Sequence, residues 1–413
     1  MGEAGGTPVP HEPHAIGQPV LRWSSRTHTI DGIEAELNRI WAGASLTTEG
    51  EGGEPERHVA ARTSVMNLVV IARRPEIGEH AAAVIQRLAG RHPSRTLIVA
   101  SGDPDGPSWL DAQIQAHCVL PRADAAETCA ELILLTAGGE SGRHLAAIVA
   151  PLLIHDLPVT LWWPGDPPLA ARQAIELLEM ADRLVVDGSA WSGDGLDRLG
   201  ALARIVADRD LGEGHVAISD FAMLRQSRWR EALASSFDRP ELRPFLGDVR
   251  SITVRYAAHR GAGTGGTNVV RPLYHIAWLA SRLGMSVVQP LRAVAGAEDL
   301  LELGPPMAGT LRAGRRRIPV SLAAVESPMP SGTTLAVELS ARRRSSELEV
   351  RVTAEAEAVI VRATLDGAEL PVRRFMAPRR TEVELLAETI ESVGRDPVAT
   401  AALVEAAELA GRG

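Results

Sequence analysis

Three stretches of this chain carry side chains able to bind or act on another molecule. Leu161–Pro168 reads LWWPGDPP and Asp187–Trp191 reads DGSAW, each closing an apolar run. Ligands of open α/β sheets bind outside the carboxyl ends of the strands. Carboxylates, a hydroxyl and indole rings at that edge can hydrogen-bond to and stack on a sugar, or anchor a protein partner. Asp187, Ser189 and Trp191 are therefore expected to share a crevice with Trp162, Trp163 and Asp166. A plainer reading stands beside this one. Adjacent strand residues point to opposite faces, so one tryptophan can pack in the core while the other covers the strand end. The third stretch, Ser219–Asp238, reads SDFAMLRQSRWREALASSFD. From Arg225 onward Trp229, Ala232, Leu233, Ser236 and Phe237 recur at helical spacing, predicting an amphipathic helix. Ser219 and Asp220 can cap its first free N–H groups. Arg225, Arg228 and Arg230 lie off the apolar stripe, where guanidinium groups can reach water, a carboxylate or a partner.

Several chemistries are excluded. All 43 basic residues are arginine. A phosphate-cradling P-loop, a Schiff base and the usual pyridoxal phosphate site each need a lysine. There is no zinc-ligand spacing and no G-x-S-x-G nucleophile elbow. Gly261–Gly266 matches G-x-G-x-x-G between a strand and a helix, but the following strand, around Ser286–Pro290, supplies no acid for a ribose, so a flexible loop is the better reading. His155 and Asp156 close a helix, where a histidine acts as a C-terminal cap. His92–Arg95, HPSR, reads as a turn. No cofactor and no metal are expected. The two cysteines, Cys118 and Cys129, cannot build a disulfide framework and are expected to be buried, inert thiols in a reducing cytoplasm.

The elements that must position these residues follow from periodicity. The length of 413 residues predicts two domains. Residues 1–57 read as a Gly- and Pro-rich tail (with His11 and His14 solvated), a short helix Asp31–Trp41 and an acidic linker. The N-terminus has neither the basic nor the apolar region of a signal peptide. Residues 58–215 alternate strands (Thr63–Ala72, Thr96–Ala100, Gln113–Leu120, Val159–Trp163, Arg183–Asp187) with helices (His80–Gly90, Ala125–Leu135, Arg143–His155, Pro168–Ala181, Gly195–Ala207). That pattern predicts a doubly wound, mostly parallel α/β domain. Residues 216–413, opened by the helix 219–238, predict an α+β domain. Its strands are Val249–Ala257, Thr310–Glu326, Thr334–Arg342, Glu347–Thr353 and Ala358–Leu365, and its helices Asn268–Leu283, Thr381–Val393 and Pro397–Leu409. The antiparallel sheet is marked by an Asp366–Gly367 turn. No apolar run is long enough to cross a membrane as a helix. A net charge of −9 argues against nucleic acid. Between Thr310 and Arg380, 13 arginines face 8 acids, read as a solvated sheet face with alternating charges.

These segments together resemble the glucose-6-phosphate dehydrogenase assembly protein (OpcA) family. The pieces that carry the resemblance are the early helix ending in Trp41, ARTSVMNLVVIA, HPSRTLIV, LPVTLWWPGDPP, DRLVVDGSAW, SDFAMLRQSRWREALASSFD and LYHIAWLASRLGM, spread over residues 20–390. Within the central segment Asp220, Arg225, Trp229, Arg230, Phe237 and Asp238 match the family pattern, while Met223 stands where a tryptophan is usual. The resemblance implies a non-catalytic partner that binds glucose-6-phosphate dehydrogenase and favours its active oligomer in the oxidative pentose phosphate pathway. The contact is expected to use exposed anchors, Trp162, Trp163 and Trp191 with Arg225 and Arg228, because Trp and Arg are the residue types that most often carry interface energy. The alternative is a sugar-phosphate or nucleotide-binding protein, a degenerate enzyme, using the crevice at 161–168 and 187–191.

Overall fold

The computed structural model describes residues 7–8, 19–42, 48–49, 55–56, 61–62, 64–88, 91–120, 122, 128–207, 216–260, 266–294, 303 and 306–413. The tail histidines, linker residues 50–54 and the glycine loop at 261–265 lie outside them. The chain is mixed α/β and divides into two compact units, Met1–Val185 with Thr381–Val393, and Val186–Arg380 with Gly394–Gly413.

The first unit is built on a sheet whose strands run in the order Pro19–Thr27, Trp109–Val119, Thr128–Gly138, Arg95–Ser101, Asn67–Ala72, Val159–Trp163, Arg183–Val186. From Thr128–Gly138 to Val159–Trp163 the neighbours pair in parallel. The first two strands join antiparallel at one edge. Every residue of Asn67–Ala72 is buried, the continuous apolar pattern of a strand covered on both faces. Arg95 opens its strand with its guanidinium buried against Glu131 at 2.5 Å and donating to the Leu152 carbonyl at 2.9 Å.

Three expectations for this unit are corrected. The composition predicts a helix over Ala125–Leu135; Thr128–Gly138 is a strand in the middle of the sheet. Its Leu, Ala and Glu content favours a helix locally, but burial between two strands decides in favour of extension. Arg143–His155 is not one helix. It breaks into Gly139–Arg143 and Leu145–Val149 at His144, whose backbone leaves the helical region, and ends in a 3-10 turn containing Pro151. Cys118 and Cys129 are not free thiols. They stand directly opposite each other across the antiparallel pair and form a disulfide. The cysteines therefore give no argument for a reducing compartment.

In the second unit a mostly antiparallel sheet runs Ser286–Ala293, Met307–Ala313, Arg316–Glu326, Val249–Ala258, Thr334–Arg343, Ser346–Ala354, Ala358–Leu365, with one parallel pairing, Val249–Ala258 beside Arg316–Glu326. The expected single strand Thr310–Glu326 is a hairpin: Gly314, at φ +59°, turns the chain where a side chain would be strained. The Asp366–Gly367 turn is present, both residues at positive φ. The helix Val270–Arg282 buries Leu273, Ile276, Ala277 and Ala280 and packs on Val249–Ala258 and on the terminal helix Pro397–Leu409. The segment read as one central helix, 219–238, divides into Phe221–Leu224 and Ser227–Ser235.

Candidate functional site

The second unit holds a cluster of charged and polar side chains from three chain segments. Asp187 follows the strand Arg183–Val186, and its carboxylate turns the chain by accepting from the Ser189 N–H at 3.1 Å and the Ser189 hydroxyl at 2.6 Å. Arg225 closes on it: Nη1 lies 2.8 Å from each Asp187 oxygen and 3.1 Å from Ser189 Oγ. Asp220 ends the strand Ala217–Asp220. Its Oδ1 accepts from the N–H groups of Gly188 and Ala222, each at 2.8 Å, and its Oδ2 accepts from the Tyr274 hydroxyl at 2.9 Å. Position 188 has to be glycine, because a Cβ there would stand 2.6 Å from Asp220 Oδ2 and 2.8 Å from Val270 Cγ1. Asn268 ties the third segment in. Its amide donates to the carbonyls of Gly188 at 2.8 Å and Trp191 at 3.0 Å, and its Oδ1 caps the Val270 N–H at 3.0 Å. Gln226 Nε2 donates to the Arg271 carbonyl at 2.5 Å.

Burial and mutual charge set the protonation of this cluster. Full burial, with the Asp187 charge adding to it, pushes Asp220 up to about 6, and its three hydrogen bonds work in the other direction. Tyr274 is raised well above its ordinary range by burial and by the Asp220 carboxylate. Burial and then the nearby Arg225 bring Arg271 down to about 10, while Asp187 acts to raise it. His275 is pushed down to about 3, by burial first and then by Arg271 and Arg230. It is a neutral imidazole at pH 7, its ring 5.4 Å from that of Trp229.

Of the residues singled out in the sequence, Asp187, Ser189 and Arg225 come together here in direct hydrogen bonds, and Asp220 joins them through the Gly188 N–H. The tryptophans are not surface anchors. Trp162, Trp163, Trp191 and Trp229 are 1%, 3%, 3% and 8% exposed. Trp162 and Trp163 sit on a strand covered on both faces, so both residues of the pair are hidden. They and the half-buried Asp166 belong to the first unit, and Asp187, Ser189 and Trp191 to the second. Arg230 is partly buried and Nη2 reaches the Met223 carbonyl at 3.4 Å. Arg228 is exposed and pairs with Glu231 one turn on, at 2.6 Å. Sequence reasoning passed over Gln226, Asn268, Arg271, Tyr274 and His275. The signal available was the pair Tyr274–His275 on an otherwise apolar helix face, where polar residues need partners. Among the described residues no three His, Cys, Asp or Glu side chains are grouped to hold a metal ion.

Two family descriptions match these same segments. The N-terminal domain of a "Glucose-6-phosphate dehydrogenase subunit" matches residues 85–204, and the C-terminal domain under the same description matches residues 216–403. The chain belongs to the OpcA family. Similar relatives are proteins provisionally named OxPP cycle protein OpcA. That of Synechocystis sp. is 27% identical over 205 residues, 49% of this chain and 39% of the relative. That of Nostoc punctiforme is 27% identical over 217 residues, 50% and 43% of the two chains. The match thus spans about two fifths of each of these relatives. That of Synechococcus elongatus is 24% identical over 398 residues, 94% of this chain and 84% of the relative. Among solved structures, the transcriptional regulator Gal80p from Kluyveromyces lactis has a TM-score of 0.43 at 10% identity, over 83% of this chain and 87% of that one. A Gfo/Idh/MocA family oxidoreductase from Vibrio cholerae has 0.41 at 11%, over 83% and 95%. No helix of the described residues is long and apolar enough to cross a membrane.

Proposed function

We propose that this chain is a non-catalytic assembly partner of glucose-6-phosphate dehydrogenase. It binds the active oligomer of that enzyme better than the inactive form and acts in the cytoplasm. A ligand shifts such an equilibrium only by its differential affinity for the two states. The observation that carries the reading is the pair of family matches, which describe domains of a subunit of that enzyme and take in every segment of the cluster. The cluster's chemistry supports the non-catalytic half of the reading. The Asp187 carboxylate is occupied by Arg225 and Ser189, and the Asp220 carboxylate by three donors at full burial. Both carboxylates are buried and engaged by donors of the chain itself, the arrangement of a cluster that holds segments together. The contact surface is then carried by exposed charge, foremost Arg228 on the outer side of Ser227–Ser235, with the buried cluster holding that helix in place.

The test is the activity of the cognate dehydrogenase, with and without this protein, while light scattering follows oligomer size. The expected outcome is higher activity together with a mixed complex. Unchanged activity and unchanged size over a wide concentration range reject the reading.

A further inference from the structure

One end of the sheet in the second unit is crowded with arginine. The hairpin joining Met307–Ala313 to Arg316–Glu326 carries Arg312, Arg315, Arg316 and Arg317. The hairpin joining Thr334–Arg343 to Ser346–Ala354 carries Arg342, Arg343 and Arg344. Between them lies Val249–Ala258, parallel to Arg316–Glu326 and antiparallel to Thr334–Arg343, so both hairpins fall at the end where that strand begins. Arg250 stands there too, at the register shift between Val249 and Ser251. Arg316 and Arg343, one from each hairpin, show the convergence directly: they hold the two carboxylate oxygens of Asp248, each at 3.1 Å.

The other six, Arg250, Arg312, Arg315, Arg317, Arg342 and Arg344, are exposed, and among the described residues no hydrogen bond or ion pair holds any of their guanidinium groups. Arg312 stands directly opposite Arg317, a like-charge pairing that destabilises a sheet. Asp248 is already taken. That leaves Glu347, opposite Arg342, and Asp366, whose carboxylate accepts from the Glu347 N–H at 2.7 Å. The alternating, solvated face expected from the sequence fits Arg255, Glu338 and Arg351 farther along the same strands, but not this end. The backbone adds a second observation. The hairpins turn on Gly314–Arg315 and Arg344–Ser345, and the first residue of each turn has positive φ, +59° at Gly314 and +56° at Arg344. Glycine takes this conformation freely, whereas a long side chain there is strained. An arginine kept where glycine serves in the neighbouring turn is a local cost that a function at the tip explains.

Charge without apolar surface selects the partner. Among the described residues, none of the exposed large hydrophobic side chains lies on these hairpins. Single-stranded nucleic acid is held by aromatic stacking as well as charge, and a membrane surface by an apolar face. The net charge of −9 opposes a long uniform polyanion, while a short acidic segment meets the local field within a Debye length. Guanidinium forks also match carboxylates in bidentate pairs. We propose that this arginine end of the sheet is a docking surface for an acidic segment of a partner protein, a run of Asp and Glu side chains received by Arg315 and Arg344 at the two tips and by the arginines of the adjoining strands. The proposal goes beyond the assembly role, does not involve Arg228, and its test contains no dehydrogenase.

Fluorescein-labelled decaglutamate is titrated with the full chain at low ionic strength, and fluorescence anisotropy follows binding. Saturable binding that weakens steeply as salt is added is expected. Arg315→Glu with Arg344→Glu is expected to weaken it at least tenfold. Arg73→Glu with Arg172→Glu, exposed positions of the first unit, changes the net charge equally and is expected to leave the affinity within about twofold. Equal losses in the two pairs overturn the site in favour of diffuse charge. Arg344→Gly keeps the proposal falsifiable if charge reversal unfolds the chain. Glycine suits φ +56°, so thermal unfolding is expected to stay unchanged while binding weakens several-fold. Tighter binding of a ten-nucleotide oligothymidylate, or of phosphatidylserine vesicles, than of decaglutamate overturns the class of partner. Absence of saturable decaglutamate binding, or hairpin variants that bind as tightly as the parent, overturns the proposal.

Discussion

Asp220 and His275 are shifted in opposite directions by the same burial, and this gives a pH prediction at the scale of single residues. Asp220 is near 3.8 in an open chain and about 6 in the fold. Between those values the folded chain keeps a proton that the unfolded chain has released, so stability falls as pH rises through the window. His275 is near 6.5 in an open chain and about 3 in the fold. Here the unfolded chain holds the proton, and stability is lost as pH falls from 6.5. From pH 6 to 4 the two slopes oppose one another. Asp220→Asn removes one of them. Its stability relative to the parent is expected to decline on acidification over that range by up to about 1.4 kcal/mol per pH unit. Urea unfolding at a series of pH values measures it, and parallel parent and variant curves would contradict the pairing of slopes. The sequence allowed Asp220 to be read as a cap because an aspartate before a helix accepts backbone N–H groups. It does accept from Ala222, capping the short helix Phe221–Leu224. Its bonds to Gly188 and Tyr274 were not legible, since they join positions 32 and 54 residues away and no local rule sets such pairings.

At the scale of elements, what could be read depended on how far local preference agreed with burial. Asn67–Ala72 and Val159–Trp163 are apolar runs that only a doubly covered strand explains, and both are found. Ala125–Leu135 reads as helix by composition, yet Thr128–Gly138 is a strand because its neighbours on both sides are strands. That error concealed the disulfide: with Cys129 on a helix, nothing places it opposite Cys118. As a strand it stands in register with Cys118, at a sequence separation of 11. Joining residues so separated restricts the unfolded chain and stabilises the fold by about 2–3 kcal/mol. Reduction, or Cys118→Ala with Cys129→Ala, is therefore expected to lower the stability of the first unit by about that amount without changing its far-ultraviolet circular dichroism. Denaturant unfolding with and without a thiol reductant checks this. Identical midpoints would mean that the bridge does not constrain the open chain.

At the scale of the molecule, the change from strand–helix alternation to a strand-rich second half was visible in the periodicity, and the two kinds of sheet are present. The interaction surface was not visible, because a tryptophan in a sequence looks the same whether it is an anchor or core. Burial separates the two cases and yields opposite expectations for two substitutions. Trp163 is 3% exposed, so Trp163→Ala opens a cavity and is expected to cost about 3–5 kcal/mol of stability. Any loss of enzyme activation in this variant should follow its unfolded fraction and disappear at a temperature where it is folded. Arg228 is exposed and its only described ion pair is with Glu231, a surface contact of little energetic weight. Arg228→Glu is expected to leave the unfolding curve within about 0.5 kcal/mol of the parent. If Arg228 anchors the partner, the same change raises the concentration needed for half-maximal activation of the dehydrogenase about tenfold, the loss of about 1.4 kcal/mol expected for an interface arginine. Thermal unfolding and activation titrations on the two variants separate the cases. Activation by folded Trp163→Ala that stays weak, with Arg228→Glu indistinguishable from the parent, would move the contact surface away from the central helix and toward the strand end that carries the tryptophans.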